Sequence, residues 1–181
     1  VYKDNEVTEA SYKLTLIEQR IVLYCIAKIN PLDTSRFEEQ KTQIIVAEDF
    51  IKQFPDVDKK SVYKQIKDAI NKLYERSIIV KKPRNIKTFR WIQSKDYYEQ
   101  EGKAIIKFSD AVMPYLADLN EQFTKYQLRN ISAFKRTYSI RLYELLVQHK
   151  TPKNRVIKVL DLRLALGLDN KFSSWSDLKR N

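Results

Sequence analysis

The sequence repeats one pattern twice. Gln43 can be placed over Arg155 and the two stretches read on without a gap, at an offset of 112. Ile45 then meets Ile157, Asp49 meets Asp161, Phe50 meets Leu162 and Phe54 meets Leu166. The turn residues Pro55 and Gly167 coincide. Ser61 meets Ser173, Tyr63 meets Trp175, Ile66 meets Leu178 and Lys67 meets Lys179. Upstream, Ile21-Val22-Leu23-Tyr24 lies over Ile140-Arg141-Leu142-Tyr143. Each copy reads as strand, short helix, turn, helix, because β-branched alternation gives way to apolar spacings of three and four. That order is the layout of a helix-turn-helix, whose second helix enters a DNA groove.

The first copy has a complete setting. Residues 5–13 read as irregular. Thr15 and Glu18 form a capping box and open a helix with Leu16, Ile17, Ile21, Tyr24, Cys25 and Ile29 on one face. Leu32 to Lys41 reads as a polar loop, Gln43 to Val46 as a strand, and Ala47 to Phe54 as a short helix. Asp58 is the expected cap of a helix from Lys59 to Arg76. Its core stripe is Val62, Ile66, Ala69, Ile70 and Leu73, and its polar stripe is Lys60, Lys64, Lys67 and Asn71. Two strands, Ser77 to Lys82 and Ile86 to Ser94, flank Pro83-Arg84-Asn85 as a hairpin with Lys81, Lys82, Arg84 and Lys87 at its tip. A basic tip beside a recognition helix suits a DNA-contacting wing, because phosphates flank the groove; a solvated hairpin turn is the plain alternative. Ala104 to Phe108 reads as a third strand. Asp110 is expected to cap a short helix through Leu116, and Phe123 to Leu128 to form a short strand.

The second copy follows a helix from Ala133 to Gln148 with Tyr138, Leu142, Leu145 and Leu146 inward. Val156 to Val159 reads as a strand, Leu160 to Leu166 as a helix capped by Gly167, and Ser173 or Ser174 as the cap of a last helix, SWSDLKRN. The expected fold is α+β: a complete winged-helix domain over residues 1–129, then a partial winged-helix domain over 130–181 that stops inside its recognition helix.

Composition narrows the function. No run of 18 apolar residues marks a membrane span, and the first residues lack the apolar stretch of a signal peptide, so a cytoplasmic setting is expected. Cys25 and His149 stand alone, so no disulfide framework or metal site is expected. Gly102 and Gly167 sit in no phosphate-binding run. No cofactor is expected. The net charge of +11 is uneven: residues 1–122 hold 21 Lys and Arg against 19 Asp and Glu, while residues 123–181 hold 13 against 4. Such asymmetry points to a polyanion, with double-stranded DNA as the expected partner.

The chain resembles the replication initiators of theta-replicating plasmids, the RepE, RepA and Pi type. The resemblance rests on NEVTEASYKLTLIEQRIV (Asn5 to Val22), IIKFSDAVMPYLADL (Ile105 to Leu119), FTKYQL (Phe123 to Leu128), YSIRLYELL (Tyr138 to Leu146) and WSDLKR (Trp175 to Arg180). It implies two winged-helix domains that bind repeated origin sites, iterons. It also implies a homodimer through the N-terminal domain, monomers that initiate, dimers that repress, and host replication proteins as further partners. The family continues past WSDLKR through the rest of the recognition helix and a second wing. By resemblance Lys179 and Arg180 sit on the base-reading helix, with Ser174 and Ser176 at its start; the plain alternative for the two cations is phosphate contact or a frayed terminus.

Two other classes compete. An enzyme of the rolling-circle or relaxase kind needs a His cluster and a Tyr nucleophile. Tyr97-Tyr98 is tempting, but one His cannot supply the metal. A winged-helix transcription regulator shares the architecture and differs by an effector domain, which the sequence does not display. Self-association through the apolar strands Gln43 to Val46 and Ala104 to Phe108 is a third expectation.

Overall fold

The computed structural model describes residues 1–10, 12–82, 84–117, 123–148, 156–168 and 176. Strand β1 (Tyr2–Asp4) leads into α1 (Asn5–Glu9), so the first part of the segment expected to be irregular is helical. Helix α2 (Leu16–Ile26) opens on the expected box: the Thr15 side chain accepts from the Glu18 N–H, and the Glu18 carboxylate accepts from the Thr15 N–H at 2.6 Å. The polar loop after α2 contains a single 3-10 turn and α3 (Phe37–Lys41), with Lys41 drawn inward to Asp110 at 2.7 Å. Asp110 is therefore an ion-pair partner, and the Ser109 hydroxyl accepts from the Val112 N–H in the turn ahead of the next helix.

Strand β2 (Thr42–Val46) enters α4 (Ala47–Gln53), and after the Pro55-Asp56 turn comes α5 (Val62–Glu75). Helix α5 starts later than expected. Asp58 accepts from the Lys60 N–H at 3.2 Å and from the Ser61 hydroxyl, which stabilises the preceding turn; Ser61 holds the cap position. The expected stripe Val62, Ile66, Ala69, Ile70 and Leu73 is buried. Each of its larger side chains contributes roughly 1.5–3 kcal/mol by leaving water. Strands β3 (Ser77–Lys82) and β4 (Asn85–Arg90) form the wing hairpin, with Lys82 opposite Asn85.

The strand expected to run from Ile86 to Ser94 is two strands. β4 ends at Arg90, and β5 (Ile92–Tyr98) belongs to another sheet. The reason is local. Trp91 and Ile92 are adjacent and both fully buried, whereas neighbours in one continuous strand point to opposite faces. Trp91 meets Tyr12 edge to face at 5.2 Å, and the Trp91 carbonyl accepts from the Ser109 N–H. A 3-10 turn at Glu99–Glu101 and left-handed Gly102 (φ 56°) lead into β6 (Lys103–Phe108). The sheet order is β2-β6-β5, all antiparallel. β6 is thus central with both edges used, so of the two strands expected to be open to a second chain only β2 has a free edge. Helix α6 (Pro114–Ala117) follows, and β7 (Phe123–Lys125) pairs with β1.

Helix α7 (Thr137–Gln148) does not bury the face expected of it. Leu145 is inside, but Leu142 and Leu146 are exposed. The inward face carries Ile140, Arg141 and Glu144. Glu144 accepts from Lys3 Nζ at 2.6 Å and from the Tyr126 hydroxyl at 2.7 Å. Arg141 donates to the carbonyls of Ala10 (2.9 Å) and Ala165 (3.0 Å) and to the Tyr12 hydroxyl. Burial and the Glu144 carboxylate push the Tyr126 phenol well above its ordinary range.

Val156 is fully exposed and residues 156–158 have no regular structure, so the strand expected there is absent among the described residues. Helix α8 (Val159–Ala165) follows; its bounds lie 112 places after those of α4. Left-handed Gly167 (φ 70°) ends it. The Gly167 and Leu168 N–H groups return to the carbonyls of Leu164 and Arg163, a Schellman closure. Cys25 is packed in the core, where burial pushes its thiol up to about 12.

Removing one member of a buried ion pair leaves the others desolvated and unpaired. Glu144→Ala is expected to lower unfolding free energy by about 3–5 kcal/mol, read from urea denaturation. Leu142→Ala, on the outward face, serves as the control with little change.

Candidate nucleic-acid interface

Helix α5 and the wing are joined through Arg76 alone, so the helix and hairpin move as neighbours. Arg90 fastens the hairpin base to the helix end by donating to the Tyr74 carbonyl at 2.7 Å and to Glu75 at 2.9 Å. Behind the hairpin, Phe89 stacks on Tyr115 at 5.4 Å.

The structure divides the expected polar stripe of α5. Lys60 and Lys64 are exposed and carry no ion pair among the described residues. Lys67 and Asn71 are engaged by β5 and by Glu99 in the turn that follows it. The Lys67 ammonium is bound by the Glu99 carboxylate and lies 5.5 Å from the Tyr97 ring centre. Asn71 accepts from the Tyr97 hydroxyl at 3.0 Å and from Lys95. The hydrogen bond from Lys67 holds the Glu99 carboxyl below its ordinary value, and the same bond raises Lys67. Burial first, then Tyr63 and Asp68, pushes the Tyr97 phenol up to about 12. These β5 partners were missed in the sequence. The signal was present as alternation, since Lys95, Tyr97 and Glu99 fall at every second position.

At the wing, the register places Lys81 opposite Ile86 and Lys87 opposite Val80. Successive side chains alternate faces, so Lys81 and Lys87 lie on opposite faces of the hairpin with Arg84 at the turn. All three are exposed. The hairpin therefore presents cations on both sides and at its end. The Lys82 side chain, Ser174, Lys179 and Arg180 lie outside the described residues. Ser176 is helical and exposed.

The family model for "Initiator Replication protein, WH1" matches residues 1–147. The chain belongs to the initiator replication protein family. A replication initiation protein of Escherichia coli is 26% identical over 187 residues, covering 99% of this chain and 58% of its own length. The chain thus spans little more than half of that initiator. An uncharacterized 27.6 kDa protein of Escherichia coli is also 26% identical, over 83% of this chain and 67% of its own length. Among solved structures, the Pi initiator protein in complex with iteron DNA superposes with a TM-score of 0.63 at 17% identity, covering 92% of this chain and 71% of that one. At that identity the likeness is one of fold, and it agrees with the α+β winged-helix architecture of this initiator-family chain.

The Lys67–Glu99 clamp has a pH signature. The Glu99 carboxyl is depressed in the folded chain, so its contribution is present above the unfolded carboxyl range and is lost as pH falls through the folded value. NMR titration of side-chain carboxyls should place Glu99 below the other exposed glutamates, and Lys67→Ala should return it to their range. A Glu99 midpoint unchanged by that substitution would remove the clamp from the account.

Proposed function

We propose that this chain is the DNA-binding and dimer-forming portion of a plasmid replication initiator that binds repeated origin sites, iterons, through winged helices. The observation that carries the reading is the initiator-family match over residues 1–147 on a winged helix whose hairpin tip is cationic on both faces. The E. coli replication initiation protein and the Pi initiator support it as relatives in sequence and in fold.

In this reading Lys60, Lys64, Lys81, Lys82, Arg84 and Lys87 meet the phosphate backbone and set register, and carry little base information. Lys67 and Asn71 take part through the β5 clamp and reach DNA only when Glu99 releases the ammonium. Ser174, Ser176, Lys179 and Arg180 belong to a second reading head. Arginine there would recognise guanine through O6 and N7, worth about 1–3 kcal/mol of discrimination. The second domain, over residues 130–181, is supported by the coincidence of α8 with α4 at offset 112. The first, over residues 1–129, carries the dimer contact. The free edge of β2 suits a second copy, with Ile44 exposed, although Lys28 Nζ already donates to the Ile44 carbonyl at 2.7 Å. The reading is non-catalytic: the Tyr97 phenol stays protonated at neutral pH and is hydrogen-bonded to Asn71.

Two measurements test this. Binding to tandem origin repeats should exceed binding to random duplex and protect successive major grooves about one helical turn apart; protection of a promoter palindrome instead would make the protein a regulator. Affinity should fall with salt by about 0.9 log units per neutralised phosphate for each log unit of salt. Replacing Lys81, Arg84 and Lys87 together by Ala should cut that slope by about 2–3. An unchanged slope would take the wing off the DNA.

A further inference from the structure

Three ionised side chains are buried together where β1, α7 and the segment before α2 meet. Lys3, Arg141 and Glu144 are each at least 97% buried. One carboxylate faces two cations, so the cluster has a formal charge of +1. Beside it is a cavity of about 130 Å³, whose walls include Tyr12, Lys13, Gln19, Thr137 and Arg141. Gln19 is 2% exposed, and neither its Nε2 nor its Oε1 has a hydrogen-bond partner. A buried amide with both ends unmet is costly and calls for a partner in the cavity. A water needs about 10–15 Å³ by the same measure, so the space exceeds one water and admits a tetrahedral oxyanion.

We propose that this cavity between Gln19, Thr137 and Arg141 binds hydrogen phosphate, free or as the end of a phosphomonoester. The excess positive charge selects an anion. Arg141 has five N–H donors; three go to Ala10, Tyr12 and Ala165, and Nη1 also faces Glu144 Oε2 at 3.6 Å, which leaves an Nη2 N–H. With the Thr137 hydroxyl and Gln19 Nε2, it supplies donors for phosphate oxygens. Gln19 Oε1 is an acceptor, and it needs an anion that also carries a proton. Hydrogen phosphate has that O–H at neutral pH. Sulfate and the phosphodiesters of DNA do not. The site therefore separates a free phosphate or monoester from the polymer backbone that the wing would contact. Its walls come from two parts of the chain, the segment from Tyr12 to Gln19 and helix α7 with the turn after α8, so the bound anion would fasten one to the other.

The test is a pair of titrations of the 181-residue chain at pH 7 with sodium phosphate, sodium sulfate and sodium chloride at matched ionic strength. Thermal melting should rise saturably with phosphate, by about 3 °C at saturating millimolar concentrations, and less with sulfate. Gln19→Leu should abolish the difference between phosphate and chloride. In ¹H–¹⁵N NMR of the wild-type chain, phosphate should shift the Gln19 side-chain amide and the backbone amides of residues 12–19; this arm decides if the variant does not fold. Adding glucose 6-phosphate separates the two sources: equal shifts admit monoesters, and none restricts the site to inorganic phosphate. Equal melting in all three salts, a phosphate effect that survives Gln19→Leu, or shifts confined to α5 and the wing would each overturn the proposal.

Discussion

The tie between Glu144 and the cations Lys3 and Arg141 joins parts of the chain that would otherwise separate. It connects a three-residue strand at the N-terminus to a helix residue 141 positions later. Strand β1 is short and pairs only with β7, and two such strands alone are marginal in water. The charged contact to α7 makes the pairing worthwhile, and Arg141 extends it to the carbonyls of Ala10 and Ala165. An apolar cluster of the same volume could be as stable. What the ionic version adds is direction, because a guanidinium donates from a rigid planar fork and its carbonyl partners must lie near that plane.

A similar division operates on the surface. Among cations that could face DNA, those nearest the sheet are already bound. Lys67 is held by Glu99, and Lys95 by Asn71 and the Tyr74 ring. Those on the hairpin and at the start of α5 stand out in water. The sheet thus sets how much of the helix's polar stripe is left in water.

Much of the fold was legible because its signals are local. The Thr15–Glu18 box, the α5 stripe, the basic hairpin and the Gly167 closure each follow from a few adjacent residues. The failures share a different cause. Trp91 ends a strand because of what it meets at Tyr12, far away in sequence. The inward set expected of α7 was its apolar Tyr138, Leu142, Leu145 and Leu146; Leu142 and Leu146 are outside because the charged Arg141 and Glu144 find buried partners at Ala10, Tyr12 and Lys3. Ala104 to Phe108 reads as an open edge because strand order is not written in any one strand. The helical stripe of Lys67 and Asn71 was visible, but their β5 partners become neighbours only after the sheet forms.

The wing is a sheet of two strands standing apart from the three-stranded one. Its shape is maintained from the back, where Ile78 and Val80 are buried and Phe89 lies on Tyr115. None of these residues is charged. Evolution could therefore keep every lysine and arginine of the tip and still lose the arm, simply by trimming the apolar side chains beneath it. The presentation of the cationic tip is, in this protein, partly a property of the apolar side chains beneath it.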